Sequence, residues 1–324
     1  MDVRPILLFG MPRSGTTWLG KVFDSHPETL YRHEPDSGGS LDAAVPLMPD
    51  PVAAETCGEA IRAYVRALPA NRSVRVTGKL PLFPKAYQIP LGASARQALL
   101  LAAKAAERWV KVPDLPEFVR STYPGPVYLV WKSIESLGRL GVMARALPDA
   151  RAIHIIRHPC GYVSSVLGGE AAGFMPGTVS SSEDYGIFRL LLETDAARRH
   201  GLTEDHLRSL HPVERLAWRW LLYNEKAMDD LEGLENSRIV LYEDLCRDPV
   251  GGYRGLFEFA GLSWADQSHA FVDASTHSER SAYFSVFKDP ERAASGWKRK
   301  LPDEDQARIL GVVAGTRPGA LYGV

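Results

Sequence analysis

The chain has 324 residues, 45% hydrophobic and 24% charged, with a formal net charge of -1 at pH 7. This is ordinary globular composition, long enough to bury a sizeable core. A near-neutral total gives no global electrostatic reason to bind nucleic acid or a membrane surface, so any anion site must be built locally. The three cysteines, Cys57, Cys160 and Cys246, show neither CxxC spacing nor a disulfide framework, which suits a reducing compartment. The sequence opens straight into an apolar strand, without a signal-peptide pattern. Its longest tempting apolar stretch, Ala98 to Ala103, is six residues long and is followed by Lys104. The expectation is a soluble, cytoplasmic protein without membrane insertion.

In chain order, residues 5–9 (PILLF) form a short apolar run that flows into Gly10, then a loop, then a helical pattern from Gly15 to about Ser25. Residues 27–50 hold four prolines and Gly38-Gly39 and read as an irregular loop. Helices are expected over 52–68 and 94–108, with a proline-broken loop at 77–93 between them. Strand-like runs recur at 109–112, 127–131, 152–156 and 238–242, separated by helical stretches at about 133–146, 160–168 and 212–231. Runs this apolar, alternating with helices, predict a parallel sheet covered by helices on both faces. Residues 170–184 and the basic stretch 288–302 read as loops. No linker divides the chain, so one α/β domain over 1–324 is expected.

Residues 10–17 read Gly-Met-Pro-Arg-Ser-Gly-Thr-Thr, after a strand and before a helix. Such a turn aims backbone N–H groups and a helix N-terminus at an anion. The triphosphate version of this loop is GxxxxGK[ST]. Gly10 and Gly15 keep its glycine spacing, but Thr16 stands where the lysine belongs and the cation has moved to Arg13. Loss of that lysine argues against kinase or ATPase chemistry, which relies on it.

Residues 12–19, PRSGTTWL, resemble the 5′-phosphosulfate-binding motif of the sulfotransferases that use 3′-phosphoadenosine 5′-phosphosulfate (PAPS), in the arginine form of the carbohydrate, tyrosylprotein and many bacterial members. The resemblance continues through 152–166, AIHIIRHPCGYVSSV, which is similar to the family's 3′-phosphate segment: a strand ending in arginine, a proline turn, and a serine eight residues on. Here those are Arg157 and Ser165, while His158 replaces the usual Asp or Asn. RIVLYEDLCRDP (238–249) looks like a third family segment and Tyr242 matches its nucleotide-contacting tyrosine. Lys132 matches a lysine that ends a strand in the tyrosylprotein and bacterial members. Gly296-Trp297-Lys298-Arg299-Lys300 sits where members close the nucleotide site.

The resemblance implies a P-loop-like α/β sulfotransferase fold and PAPS as co-substrate, leaving 3′,5′-adenosine bisphosphate as product. It requires no metal, because the donor carries its own leaving group. Arg13, Ser14, Gly15, Thr16, Thr17 and Trp18 would hold the 5′-phosphosulfate; Arg157 and Ser165 the 3′-phosphate; Tyr242, Lys298 and Lys300 the rest of the nucleotide. Lys132 would meet charge on the bridging oxygen, alongside Arg13.

For the catalytic base, Glu34 lies 21 residues after Arg13, at the spacing of the tyrosylprotein glutamate; His33 is the alternative, with Asp36 and His26 behind it. Trp109, Trp131, Trp218 and Trp220 are expected to pack the core, and His200, His206 and His211 to lie at the surface. The loops 32–50, 77–93 and 170–188 mix Phe83, Tyr87, Phe174, Tyr185 and Phe188 with few charges, which suggests a small, apolar or lipid-like acceptor alcohol or amine. Two other readings stand beside this one: a non-catalytic nucleotide-binding module of the same fold, and a P-loop kinase.

Overall fold

A computed structural model describes residues 3–106, 109, 114–173, 179–277, 286–287 and 289–324. Five parallel strands form one sheet in the order β2-β3-β1-β4-β5: β1 Val3–Phe9, β2 Thr29–His33, β3 Val127–Ser133, β4 Arg151–Ile156 and β5 Ser237–Leu241. Alternation along the strands divides the core into two layers. Leu7 and Phe9 of β1, Leu129 and Trp131 of β3, and Ala152 and Ile156 of β4 face one side. Ile6 and Leu8, Tyr128 and Val130, and Ile153 and Ile155 face the other.

Helix α1 (Thr16–Asp24) covers the second face through Leu19, Val22 and Phe23. The chain then runs through α2 (Ala54–Ala67), the single turn α3 (Val74–Thr77) and α4 (Gly92–Ala106) before returning to the sheet. α5 (Leu140–Ala146), α6 (Pro159–Ala171) and the long helix Pro212–Leu231 cover the first face. The sheet is therefore parallel and sandwiched between helices, as the alternating apolar runs require.

Several local expectations change. The 27–50 loop contains β2, the edge strand, whose five residues TLYRH are too short and too polar to announce themselves. The basic stretch 288–302 is not loop but two short helices, Pro290–Ser295 and Trp297–Lys300. Of the expected strand 109–112, Trp109 lies in a turn and residues 110–112 fall outside the described residues. Trp109 is no core residue: 84% of its surface is exposed. Tyr87 and Phe188, expected to face the acceptor, are instead buried in the core, and Phe174 lies outside the described residues.

Strand order fixes where a ligand can sit. β1 leads by α1 toward β2, whereas the neighbouring β4 leads away to β5. Connections that leave adjacent strands in opposite directions open a crevice at their carboxyl ends.

Candidate active site

The loop after β1 enters that crevice. Gly15 is the N-cap of α1 at φ 86°, and no side chain caps the helix. The first turn of a helix has no intrahelical partners for its N–H groups, so the amides of Thr16, Thr17 and Trp18 form an anion-binding end. Only glycine fits at position 15. A Cβ there would lie 2.3 Å from Cδ2 of Tyr242, whose buried ring packs beneath the loop. Arg13 is left-handed too, at φ 72°, an uncommon geometry for a residue with a side chain. Ser14 and Thr16 are buried, whereas Arg13 and Thr17 are only half-buried and line the crevice side of the loop. Trp18 is in the core, its indole N–H donating to Ser275 Oγ at 3.0 Å and its ring edge-on to Tyr242 and Tyr253. Only its backbone amide, at the start of α1, is placed where it could meet an anion.

Arg157 follows β4 across the crevice. Its Nη1 donates to Arg13 O (2.9 Å), its Nη2 to Ala293 O (2.7 Å), and its guanidinium lies 5.0 Å from the Tyr242 ring centre. Its Nε is buried with no hydrogen-bond partner among the described residues. A buried donor left empty is costly, and an anion would satisfy it. Arg13 Nε donates to Ser165 Oγ at 3.0 Å, so the two sequence motifs meet side chain to side chain.

The unusual His158 has a clear role. It is the N-cap of α6, and its Nδ1 accepts the Cys160 N–H at 3.2 Å, the job an Asp or Asn does elsewhere. Its ring stacks on Trp297 with centroids 4.4 Å apart, bringing the 296–300 segment against the site. Burial first, then Lys298 and Arg157, lower its pKa to about 4. Lys298 and Lys300 are exposed; the charge of Lys298 reaches His158, whereas no described contact ties Lys300 to this cluster. Glu243 of the third motif clasps the arrangement, accepting from His158 N–H (3.0 Å) and Tyr322 O–H (3.2 Å).

β2 and β3 supply the other half. His33 pairs in register with Lys132, and Glu34 N–H donates to Lys132 O at 2.8 Å. Glu34 turns left-handed (φ 48°), and its carboxylate forms an ion pair with the Lys132 ammonium. Lys132 is 1% exposed and Glu34 22% in their side chains, so the carboxylate meets the crevice while the ammonium lies behind it. Burial pulls the Lys132 pKa below the usual lysine range against the opposing pull of Glu34.

His33 Nε2 lies 3.7 Å from Glu34 Oε1, and its Nδ1 is 2.9 Å from the Tyr31 hydroxyl. Burial, then Lys132, Lys79, Lys21 and Arg75, drive its pKa down to about 2. Held neutral in this way, the imidazole lies against the Glu34 carboxylate.

The remaining base candidates are occupied elsewhere. Asp36 is buried and accepts from Trp131 Nε1 (3.0 Å), Ser133 Oγ (2.5 Å) and Ser136 Oγ (2.6 Å), which pins the end of β3 beside Lys132. His26 is buried with Nε2 3.3 Å from Ser263 Oγ. Sequence reasoning missed Lys79, whose charge acts on His33, Lys132 and Glu34 and whose pKa falls by burial and then by Lys132. A lysine inside a proline-broken loop carries no periodic signal that could have marked it.

With this geometry in place, the relatives are informative. A sequence model described as "Sulfotransferase family" matches residues 5–183, which span β1 to the segment after α6. The chain belongs to the sulfotransferase family. Human carbohydrate sulfotransferase 5 is 25% identical over 334 aligned residues, covering 96% of this chain and 75% of that protein. Human carbohydrate sulfotransferase 6 is 23% identical, covering 96% and 78%. Among solved structures, the sulfotransferase domain of the Synechococcus PCC 7002 olefin synthase is similar at a TM-score of 0.44 and 17% identity, covering 100% of this chain and 96% of that one. The architecture of this sulfotransferase, a central parallel sheet with helices on both faces, is the one its family membership requires. No helix among its described residues is long and apolar enough to cross a membrane.

Proposed function

We propose that this sulfotransferase moves a sulfuryl group from PAPS to a hydroxyl or amine of a small acceptor, with residues 1–324 working as one domain of the arginine-loop branch. One observation carries the reading: the end of β3 and the loops after β1, β2 and β4 bring Lys132, Arg13, Glu34 and Arg157 to the same carboxyl edge of the sheet. The residues fit the donor. The uncapped start of α1 with Arg13 and Thr17 suits the 5′-phosphosulfate, and the unpartnered buried Nε of Arg157, linked through Arg13 to Ser165, suits a second phosphate. Bound there, PAPS supplies the sulfuryl group and a bisphosphate leaving group.

Glu34 takes the proton of the acceptor hydroxyl or amine as that atom attacks sulfur. Lys132 meets the negative charge left on the bridging oxygen when its bond to sulfur breaks, and Arg13 with the loop amides holds the surrounding oxygens. The resting Lys132–Glu34 pair serves both roles. It keeps a buried ammonium charged until a second anion arrives, and it holds the carboxylate at the crevice.

The kinase reading lacks its cation, since Thr16, in the lysine's place, is buried. The test incubates the protein with PAPS and a panel of alcohols and amines, and in parallel with ATP and Mg²⁺, reading adducts by mass spectrometry. Sulfated product from PAPS is expected. Phosphorylated product from ATP would overturn the proposal, and bisphosphate binding without any transfer would favour the non-catalytic module.

A further inference from the structure

Helix α4 buries Arg96, Leu100 and Ala103 with Gly92. At 100° per residue the opposite side carries Ser94, Ala98, Leu101, Ala102 and Ala105, all exposed, with Leu101 at 52%, and Leu91, just before the helix, is 83% exposed. Lys104 and Gln97 sit on one flank only. A helix apolar on both sides is ordinarily covered on both. The patch also extends past the helix. Ile89 and Val119, both more than 40% exposed, adjoin its start, where Ile89 N–H donates to Phe118 O at 2.9 Å. Trp109, 84% exposed, follows its end. The helix alone is roughly 22 Å long, and large apolar side chains exposed along it and at both of its ends mark a contact.

Charge says what it contacts. Residues 71–120 hold nine lysines and arginines against three acidic residues, within a chain whose total is -1. Lys104 is exposed on the flank of α4 and Arg120 beside Val119 at its start, with Arg72 and Arg75 exposed in the segment before it. Two copies meeting through this face about a two-fold axis would set one basic segment against another. An apolar helix face with a basic rim and an aromatic at its end fits instead an anionic lipid surface, lying in the interface and not crossing it. The 15 residues of α4 are too few to span a bilayer.

We infer that α4 and its rim dock this sulfotransferase on anionic lipid bilayers. The face is tied to the acceptor side of the site: Arg96 Nη2 donates to Thr77 O (3.2 Å), and Lys79, two residues on, reaches Glu34 electrostatically. Docking would present the crevice to amphiphilic acceptors at the interface. This goes beyond the transfer reading, and the test uses neither donor nor acceptor, so its failure would leave that reading standing.

The test is sedimentation of the full chain with phosphatidylcholine vesicles, with and without phosphatidylserine, at low and high salt. Binding to the phosphatidylserine vesicles alone, weakened by salt, is expected, with a blue shift of tryptophan emission that Trp109→Phe removes. Leu91→Glu with Leu101→Glu should weaken vesicle binding by about tenfold or more without lowering the melting temperature, because both side chains are exposed. Lys104→Glu should weaken it less. No binding to anionic vesicles, binding indifferent to phosphatidylserine, or binding unchanged by the leucine variants would overturn the inference. A dimer in sedimentation equilibrium that the leucine variants dissociate would assign the face to a second copy instead.

Discussion

Glu34 and His33 are adjacent, yet their surroundings differ, and the proposed mechanism gives them different work. Glu34 faces the crevice against one ammonium, while burial and several nearby cations hold His33 neutral at a pKa of about 2. Glu34→Gln keeps shape but deletes the proton acceptor, so single-turnover transfer should slow by about 10²–10⁴-fold with little change in donor affinity. His33→Gln should cost far less, since it removes only a support 3.7 Å from the carboxylate. The reverse ranking, measured with one identified acceptor, would move the base to His33. Spacing had left the choice between the two residues open, and the sequence could not close it. What separates their surroundings is burial and the approach of Lys132, 98 positions away. Asp36 shows the same limit, since nothing local reveals that a loop aspartate serves three donors on and just after a distant strand.

At the scale of elements, the glycine loop was the most legible part, because its constraints are local. Strand, turn and helix follow one another within about twenty residues, and Gly15 must be left-handed whatever the rest of the chain does. Gly15→Ala should therefore fail twice, through its positive φ and through the clash with Tyr242. A lowered melting temperature and bisphosphate affinity reduced by about tenfold or more are expected. Adding Tyr242→Ala should recover only the steric part, and an unchanged melting temperature for the single variant would refute this account of the loop. β2 was the least legible element. Five residues at the sheet edge give too short a pattern, and their identity as strand comes from pairing with β3. The exposed side of α4 was hidden for another reason: the pattern predicts a helix over 94–108, but a sequence does not say which face a fold leaves open.

For the whole molecule, the order and parallel direction of the strands converted scattered matches into one site, by putting every strand end of interest on the same edge. Total charge is a coarse guide at this scale, since -1 overall averages over a basic 71–120 segment. The buried histidines give the fold a pH signature. His26 and His154 are buried and held near a pKa of about 4, by burial first, with His33 and His158 shifted the same way. Each stays neutral when folded but protonates near pH 6.5 when unfolded. Their stability contribution is therefore complete above about pH 6.5 and is lost as pH falls toward 4. Denaturant unfolding should weaken with a slope of up to about 1.4 kcal/mol per pH unit for each histidine in that window. His154→Gln, which retains a partner for Asn224 (3.0 Å), should flatten the curve, and an unaltered slope would exclude this histidine from the effect.

The central claim is that the crevice between β1 and β4 is built for a nucleotide with both a 5′- and a 3′-phosphate. Metal-free calorimetry with 3′,5′-adenosine bisphosphate, compared with ATP plus Mg²⁺, tests it most directly. The bisphosphate should bind far more tightly, and Arg157→Ala should weaken it by about 10–100-fold while scarcely changing affinity for adenosine 5′-phosphosulfate, which lacks the 3′-phosphate. Equal or tighter binding of ATP with Mg²⁺, or an equal loss for both nucleotides in the Arg157 variant, would contradict the account.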